Sequence, residues 1–398
     1  MIGISKLYCG TVEPSDAIRY ERRSGDLPSH LLQFSLDKKP VVVWNVTQAC
    51  NLNCVHCYAQ AVDRVIEKEM TYKQGLDLID DLSAFGVPVI LFSGGEPLMR
   101  PDLLDLARYA VEKGIRAVIS TNGTLITNRM ATALMGIGLS YVGVSLDGMA
   151  AVNDRFRGKK GAFKAAMEGI KNCQDVGLKV GLRFTINRMN VGEIPHIFDL
   201  IEEYQIPRIC FYHLVYVGRG SNLKNMDLDH RETRKAVDLI IDRTKDLHDR
   251  GINKEVLTVD NHADGPYLYL RMLRENKPGA EDVLSLLRMN EGNNSGRGFG
   301  CVSWDGSVYA DQFWRHYNFG SVLERPFSEI WSDLSNPLMG QLKEKKKYVK
   351  GRCAKCQWLD ICAGNFRVRA ESVTGDVWAS DPACYLTDEE IALEKEHK

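Results

Sequence analysis

Short runs of apolar residues alternate with longer amphipathic segments from about residue 40 onward. Six of these runs are rich in β-branched residues and nearly continuous in apolar ones: VVVWNVT (41–47), VPVILFSG (87–94), RAVISTNG (116–123), YVGVSLDG (141–148), VGLRFTIN (180–187) and RICFYHLVY (208–216). Such runs are typical of parallel strands that are covered by helices. The repeated alternation predicts an α/β fold, a partial (β/α)6 TIM-like barrel rather than a Rossmann sheet.

The segments between the strands have the spacing of amphipathic helices. Two of them, TYKQGLDLIDDLSAFG (71–86) and AFKAAMEGIKNCQDVG (162–177), end in a glycine, which is a common helix C-cap. Four regions follow from the pattern: an irregular N-terminal arm, the barrel, a mainly helical connection and a cysteine-rich C-terminal domain with a hairpin at Asp305-Gly306. Their boundaries are 1–39, 40–230, 231–300 and 301–398.

Composition and charge exclude several classes of protein. The 398 residues are 44% hydrophobic and 26% charged, with a net charge of −1. These values are those of an ordinary soluble globular protein without an overall field for nucleic acid or an acidic membrane. No long apolar run or basic leader is present, which predicts a cytoplasmic protein that does not bind membranes. Clustered cysteines in that compartment indicate metal binding or catalysis more often than disulfides.

Three of the eleven cysteines, Cys50, Cys54 and Cys57, lie in the segment TQACNLNCVHCYAQ (47–60), directly after the first predicted strand. Their Cys-x3-Cys-x2-Cys spacing is unusual for zinc, and no lone cysteine or histidine is an obvious fourth ligand. Three thiolates on a 4Fe–4S cluster would leave one iron open, and the spacing differs from both ferredoxin patterns. The segment therefore favours a cluster with an open iron over a zinc site.

Glycine-rich and polar signatures also end the next strands. GGEP (94–97), STNG (120–123) and SLDG (145–148) each lie at a carboxyl end. These ends meet on the face of a barrel where barrel enzymes place their active sites. SGGEP could be an ordinary glycine turn, but its backbone and the Glu96 carboxylate could also recognise the ammonium group of an amino acid.

CNLNCVHC followed by GGEP one strand–helix unit later resembles the radical S-adenosylmethionine (SAM) superfamily over about residues 40–220. The resemblance implies that Cys50, Cys54 and Cys57 hold a 4Fe–4S cluster whose fourth iron chelates SAM. Cleavage of SAM there yields a 5′-deoxyadenosyl radical, which attacks unactivated carbon. The implied SAM contacts are His56, Gly94, Gly95, Glu96, Pro97, Ser145 and Asp147, with Arg157 and Asn187 as weaker candidates that could be structural.

A second group of thiols lies near the C-terminus and comprises Cys353, Cys356, Cys362 and Cys384. Four thiolates could bind zinc. The pattern instead resembles half of the SPASM extension that many radical SAM enzymes carry, whose full form has seven cysteines and two auxiliary clusters. Phe366 and Asp311 stand where such proteins have cysteine, and Cys301 is the only remnant of the other site. The resemblance implies one auxiliary 4Fe–4S cluster, and thus two clusters in all.

Similarity to one family of radical SAM enzymes extends over the whole chain. MIGISKLYCGTVEPSDAIRY (1–20), LPSHLLQFS (27–35), FYHLVYVGRG (211–220), TVDNHADG (258–265) and DQFWRHYNFGSV (311–322) are similar to the didecarboxysiroheme deacetylases of the siroheme-dependent heme pathway. The resemblance implies removal of two acetate side chains from didecarboxysiroheme, an iron isobacteriochlorin, to give iron coproporphyrin III. It also implies a low-potential electron donor such as ferredoxin or flavodoxin.

Arginine forks suit the carboxylates of such a macrocycle. The candidates at strand ends or in glycine-rich loops are Arg183, Arg208, Arg219 and Arg297. His213 and His262 are candidate axial ligands or proton donors, although a structural role is favoured for each.

Two other activities stay open: removal of propionate groups from a similar macrocycle to make the heme of nitrite reductase, and peptide maturation. Peptide maturases commonly carry an N-terminal recognition domain, and residues 1–39 are too few for one with its own core. A metal-stabilised scaffold without catalysis would not need GGEP beside an incomplete cysteine set.

Overall fold

Ten strands form one sheet in the computed structural model, which describes residues 1–10, 39–64, 66 and 68–392. The strands are β1 (Ile2–Gly3), β2 (Val41–Thr47), β3 (Val89–Gly94), β4 (Arg116–Thr121), β5 (Tyr141–Ser145), β6 (Val180–Ile186), β7 (Arg208–His213), β8 (Glu255–Val259), β9 (Phe299–Val302) and β10 (Val308–Tyr309). Half of the similar segment 1–20 and all of 27–35 lie outside the described residues.

The six predicted strands are present as β2 to β7, which confirms the partial barrel. Strands β2 to β8 pair in parallel in chain order, and β9 continues the parallel sheet beyond β2. At the two edges, β1 pairs antiparallel with β8, and β10 pairs antiparallel with β9 across the predicted hairpin.

Two strands were not predicted from the pattern. β8 lies inside the region 231–300, which was expected to be mainly helical, and β1 lies inside the arm that was expected to be irregular. β8 is only five residues long and β1 only two. β5 is equally short but lies within a longer run that ends in a glycine turn, whereas β8 begins with a charged residue and lies between two helical segments.

Helices cover the outer face of the barrel and then build the C-terminal part. They are α1 (Tyr72–Phe85), α2 (Leu103–Glu112), α3 (Asn128–Gly136), α4 (Ala150–Arg157), α5 (Ala162–Asp175), α6 (Ile194–Glu203), α7 (His230–Asp249), α8 (Asp264–Arg274), α9 (Ala280–Asn290), α10 (Phe327–Ser332), α11 (Pro337–Lys343), α12 (Gly351–Ala354), α13 (Leu359–Cys362), α14 (Arg367–Thr374) and α15 (Asp388–Ile391). Among the described residues, none of these helices is long and apolar enough to cross a membrane.

Local sequence explains the ends of α1. Thr71 and Gln74 form a reciprocal capping box, and Gly86 ends the helix in the left-handed conformation at φ +85°. Gly75 of the same helix packs directly against Trp44 of β2, where a Cβ atom would overlap the indole ring. The absence of a side chain at Gly75 therefore lets α1 pack closely against the outer face of the sheet.

The two faces of the sheet have different chemistry. Val42, Trp44 and Val46 of β2 belong to the hydrophobic core that includes the helices. Val43, which alternates with them, points to the inside of the barrel, where Ser93 and Ser145 of neighbouring strands also lie. Because the inner face is partly polar, the barrel encloses a cavity and not a second core.

The C-terminal helices are tied to the barrel by buried polar contacts. Arg369 of α14 pairs with Asp381 through two hydrogen bonds of 2.9 Å each. The same guanidinium donates to the carbonyl oxygens of Leu214 and Asp260, which follow β7 and β8. The segment that carries the second cysteine group therefore sits against the carboxyl ends of these strands.

Candidate active site

A cavity of about 130 Å³ that opens to solvent occupies the inside of the barrel. Side chains from β2 to β7, the cysteine loop and the segment after β10 line it. The members that can bind or react are His56, Tyr58, Ser93, Ser120, Ser145, Arg157, Arg183, Thr185, Tyr212, His213, Asp260 and Gln312. Polar groups from many strands therefore face one enclosed space, as expected at the active end of a barrel.

The three thiols of the cysteine loop lie together in one buried cluster. All three are free cysteines. Burial raises the pKa of the Cys50 thiol to about 12, and the nearby Cys54 and Cys57 thiols raise it further. Isolated thiolates would be unfavourable here, so a bound cation is the natural compensation.

Backbone and side-chain donors surround these sulfur atoms. The Leu52 N–H lies 3.4 Å from Cys50 Sγ, and the Ala61 N–H lies 3.5 Å from Cys57 Sγ. The Arg157 guanidinium lies 3.6 Å from Cys54 Sγ. Donors of this kind stabilise cluster thiolates and tune the cluster potential, so the residues present fit an iron–sulfur cluster.

GGEP holds the cysteine loop in place through its backbone. The Gly95 and Glu96 N–H groups donate to the carbonyl oxygens of Thr47 and Ala49, at 2.8 and 2.7 Å. A Cβ atom on Gly94 or Gly95 would lie closer than 3.0 Å to those oxygens. These donors are therefore engaged within the protein, whereas the sequence suggested that they were exposed.

Glu96 is fully buried, and its carboxylate binds groups of the protein itself. Its carboxylate accepts hydrogen bonds from Thr121 Oγ1 at 2.6 Å and from the Asn122 N–H at 2.8 Å. Burial raises the pKa of this carboxyl to about 7. Asn122 in turn donates to Asn51 at 2.8 Å, so Glu96 links the end of β4 to the cysteine loop. Pro97 begins the single turn that follows.

His56 and Asp147, both predicted SAM contacts, lie next to each other. The His56 ring stacks on Phe156 with the centroids 4.5 Å apart, and its Nε2 lies 4.0 Å from Asp147 Oδ2. Burial, followed by the charge of Arg157, holds the pKa of His56 well below its usual value. Asp147 forms a buried ion pair with Arg157. The structure thus brings His56, Asp147 and Arg157 together with the cysteine loop.

Asn187 has a different environment from the other predicted SAM contacts. Its side chain donates to the Thr185 carbonyl at 3.0 Å and accepts from the Met189 N–H at 2.9 Å. It does not line the cavity. These contacts are the structural hydrogen bonds that the sequence left open as the alternative.

Of the four candidate arginines, only Arg183 lines the cavity. Its guanidinium lies over the Tyr212 ring at 5.8 Å and has no carboxylate partner in the described part of the chain. Gly143 on the neighbouring strand leaves the space, because a Cβ there would overlap the guanidinium. Arg183 is therefore a cation available to an anionic ligand.

The other three arginines do not line the cavity and have partners within the protein, and their assignment to the substrate stays a prediction. Arg208 lies at the amino end of β7, opposite the cysteine loop, and pairs with Glu255 at 3.4 Å. Arg297 is partly exposed and pairs with Glu291 at 2.8 Å.

Arg219 holds the cysteine loop. It donates to the carbonyl oxygens of Cys54 and Ala61, at 2.8 and 2.9 Å, and its backbone N–H donates to Cys57. Sequence position alone could not distinguish these three uses of arginine.

The two candidate histidines have different environments. His213 lines the cavity, and its Nε2 lies 2.9 Å from Asp264 Oδ2. This contact fixes the orientation of the ring against Asp264. His262 does not line the cavity; its backbone N–H donates to Asn365, and burial holds the pKa of its ring well below the usual value.

The second cysteine group forms a similar cluster near the carboxyl ends of β7 and β8. Burial raises the pKa of the Cys362 thiol, and the nearby Cys384, Cys353 and Cys356 thiols add to the effect. Arg352 lies 3.4 Å from Cys384 Sγ, and the Trp358 N–H lies 3.4 Å from Cys356 Sγ. Four thiols with such donors fit one cluster.

In the described residues, no three metal-ligating side chains surround a single-ion position. The thiolates that bind an iron–sulfur cluster are distributed over several irons, so they do not need to surround one position.

Aromatic side chains fill the region where a full SPASM extension would hold a second auxiliary cluster. Phe366 packs edge-on against Phe313 at 5.6 Å, and Phe313 packs against Tyr58 at 5.3 Å. Asp311 accepts hydrogen bonds from the Phe313 and Trp314 N–H groups. Cys301 is fully buried on the inner face of the sheet. This packing agrees with the expectation of one auxiliary cluster.

Tyr58, Asp260 and Gln312 are among the cavity residues that were not predicted. Tyr58 donates to Asn45 at 3.0 Å. Asp260 follows β8, the strand that the apolar pattern did not identify, so its position at a carboxyl end went unnoticed. Asp260 lies in the segment TVDNHADG, and Gln312 lies in DQFWRHYNFGSV. Both segments resemble the deacetylase family, and this resemblance was the signal that could have located the two residues.

Residues 44–201 match the model of the Radical SAM superfamily, and residues 295–357 match the SPASM iron-sulfur cluster-binding domain. Fe-coproporphyrin III synthase of Methanosarcina barkeri is 68% identical over 394 residues, which cover 98% of this chain and 99% of that protein. The chain belongs to the radical SAM superfamily. It is a radical SAM enzyme, and its cofactors are SAM and two 4Fe–4S clusters.

Other relatives share the architecture. Pre-heme d1 synthase of Dinoroseobacter shibae is 41% identical, covering 88% of this chain and 87% of that one. The structure of anSMEcpe with AdoMet and a peptide has a TM-score of 0.66 at 18% identity, covering 87% of this chain and 94% of that one. SuiB of Streptococcus suis, with its precursor peptide, has a TM-score of 0.69 at 19% identity, covering 88% and 76%. At these identities the two structures support the fold alone.

Proposed function

We propose that this enzyme removes two acetate side chains from didecarboxysiroheme and so produces iron coproporphyrin III in heme biosynthesis. One observation carries the proposal: the chain is 68% identical, over nearly its whole length, to a protein named Fe-coproporphyrin III synthase. The aligned region contains the cavity walls as well as the cluster loops.

The cavity chemistry supports an anionic macrocycle. Arg183 supplies a guanidinium without a carboxylate partner among the described residues, and such a group prefers a substrate carboxylate. Tyr212 and Phe313 supply flat apolar surface beside it. The two aromatic rings and one cation match a ring system that carries acidic side chains.

The cysteines and the residues around them support the placement of the cofactors. Cys50, Cys54 and Cys57 would hold the cluster that binds SAM, with His56 and Arg157 beside it. Cys353, Cys356, Cys362 and Cys384 would hold the auxiliary cluster. When bound, SAM and its cluster supply a radical that abstracts hydrogen, which no side-chain acid or base can do.

The protein's own residues would then orient the macrocycle and exclude water. Arg183 would fix one carboxylate of the ring system, while Tyr212 and Phe313 would hold its face. A low-potential one-electron donor of the ferredoxin or flavodoxin type would supply electrons, and the reaction would take place in the cytoplasm.

Mass spectrometry of the product is the decisive test. The reconstituted enzyme is incubated without oxygen with reductant, SAM and didecarboxysiroheme. We expect a loss of mass equal to two acetate side chains, together with 5′-deoxyadenosine. If 5′-deoxyadenosine forms while no tetrapyrrole changes, the proposed substrate is wrong and a peptide substrate becomes the next hypothesis.

Removal of propionate groups is the second candidate, favoured by the 41% identity to pre-heme d1 synthase. The same assay separates the two reactions, because two propionate groups have a larger mass than two acetate groups. An Arg183→Gln variant should weaken macrocycle binding in either case, since both substrates carry carboxylates.

A further inference from the structure

Asp260 is the only residue with a carboxyl group among the described residues that line the cavity. It directly follows β8 and has φ +66°, a left-handed conformation that residues other than glycine seldom adopt. Arg369 holds its carbonyl oxygen at 2.9 Å. Within the described part of the chain its carboxylate has no hydrogen-bond or ion-pair partner. An unpartnered acid that faces a cavity is a feature of functional sites.

The surroundings of Asp260 favour an exchangeable proton at neutral pH. Burial raises the pKa of its carboxyl to about 7. The groups that face it are Arg369, the N-terminal amine and His213, which lower the pKa, and Asp311, which raises it. A carboxyl group in this range can both release and regain a proton near pH 7.

The proposed deacetylation needs one proton for each acetate, and this inference rests on that proposed function. Each substituted ring carbon carries a methyl and an acetate group, and the neighbouring ring carbon carries a hydrogen. Abstraction of that hydrogen atom leaves a radical centre on the neighbouring carbon. Cleavage of the bond to the acetate methylene then forms a ring double bond and releases a carboxymethyl radical, •CH2COO⁻.

The carboxymethyl radical becomes acetate by taking up one electron and one proton. The low-potential donor provides the electron. For each acetate the balance is one SAM, two electrons and one proton consumed, with methionine, 5′-deoxyadenosine and acetate formed. An acid on the cavity wall must therefore protonate the methylene carbon.

We propose that Asp260 is a catalytic residue that donates this proton to the methylene carbon, while Arg183 binds the carboxylate of the departing fragment. After the transfer Asp260 is a carboxylate, which regains a proton from solvent before the second acetate leaves. His213, held by Asp264, lies beside this path. The competing route returns a hydrogen atom from 5′-deoxyadenosine and regenerates SAM.

Isotope labelling separates the two routes. The reaction is carried out in D2O with unlabelled substrate and SAM, and the released acetate is analysed by mass spectrometry. We expect one deuterium in each acetate, because a carboxyl proton exchanges with solvent. Acetate without deuterium would overturn the proposal in favour of hydrogen return. If no acetate is released at all, the proposed function fails instead.

Variants of Asp260 identify the donor. Asp260→Asn should slow acetate formation roughly 10²-fold, as for loss of a general acid, while 5′-deoxyadenosine still forms. Asp260→Glu should restore deuterated acetate in part. Asp333→Asn, at a partly exposed carboxyl group that does not line the cavity, is the matched control and should leave the rate unchanged. Unchanged acetate formation by Asp260→Asn would overturn the role of Asp260.

A measurement without substrate tests the same group. Infrared difference spectra of the holoenzyme should contain the carbonyl band of a protonated carboxyl that disappears as pH rises through about 7. The Asp260 contribution to the band should be absent from Asp260→Asn, whereas the Glu96 carboxyl, whose pKa is also about 7, contributes equally to both proteins. Acetate formation should decline over the same pH range, because the protonated acid is lost. A band of equal intensity in Asp260→Asn and in the unchanged enzyme would assign the proton to another residue.

Discussion

At the scale of single residues, backbone contacts decide whether the cysteine loop can form. Gly94 and Gly95 lie where any Cβ atom would overlap carbonyl oxygens of residues 47 and 49. The two glycines are therefore required before any contact with SAM is considered, because the cysteine loop rests on them. GGEP has a structural function in addition to the binding function that the sequence suggests.

Replacing Gly95 with alanine should displace the loop and remove the iron held by Cys50, Cys54 and Cys57. About half of the total iron should remain, since the second cysteine group is untouched. Gly192→Ala is the matched control, because a Cβ at Gly192 meets nothing within 4 Å and its φ is not in the left-handed region. Iron analysis after anaerobic reconstitution measures both variants, and full iron in Gly95→Ala would contradict this reading of the loop.

At the scale of elements, the contact between α14 and the ends of β7 and β8 holds the C-terminal segment in place. The Arg369 and Asp381 side chains are both 0% exposed. Breaking a buried ion pair by removing one partner leaves an uncompensated charge. Arg369 also donates a hydrogen bond to the backbone of Asp260. The same side chain therefore stabilises the fold and positions a residue of the cavity wall.

Asp381→Asn should lower the free energy of unfolding by about 3 kcal/mol, because Arg369 stays buried with a neutral partner. The midpoint of anaerobic urea unfolding measures the change. Asp376→Asn breaks the exposed ion pair with Lys350 and should leave the midpoint unchanged. Equal midpoints for the two variants would show that the buried pair does not stabilise the fold.

At the scale of the whole molecule, the second cysteine group is connected to the cavity wall through one chain of contacts. Tyr385, next to Cys384, donates to Asp264 Oδ1 at 2.8 Å, and Asp264 Oδ2 contacts His213 on the cavity wall. The second cysteine group is thereby connected to the cavity without lining it. This arrangement suits a group that serves the reaction from outside the cavity.

Replacing Cys50, Cys54 and Cys57 with alanine should remove about half of the iron and all SAM cleavage. Replacing Cys353, Cys356, Cys362 and Cys384 should also remove about half of the iron but leave the first site loaded. Cys9→Ala is the control, since Cys9 belongs to neither group, and its iron content should be unchanged. Iron and acid-labile sulfide assays measure the outcome, and zinc at the second site would contradict the auxiliary cluster.

Much of the fold was predictable because its determinants are local. Six apolar runs gave β2 to β7, and the Thr71 cap and Gly86 gave the ends of α1. β1 was missed because two residues give no pattern, and β8 was missed because it lies between two helical segments. In the site, cysteine spacing identified both groups, since all members of the first and three of the second lie within a few residues of one another.

The sequence by itself determined the strand–helix alternation, the two cysteine groups and the resemblance to radical SAM enzymes. Each of these depends on residue type and on short spacing. Only the tertiary structure decided that Arg183 enters the cavity while Arg208 lies at the opposite end of the barrel and Arg219 holds the cysteine loop. It also decided that Asp260 faces the cavity. The reason is that the direction of a side chain depends on strand register and on packing between segments far apart in the chain.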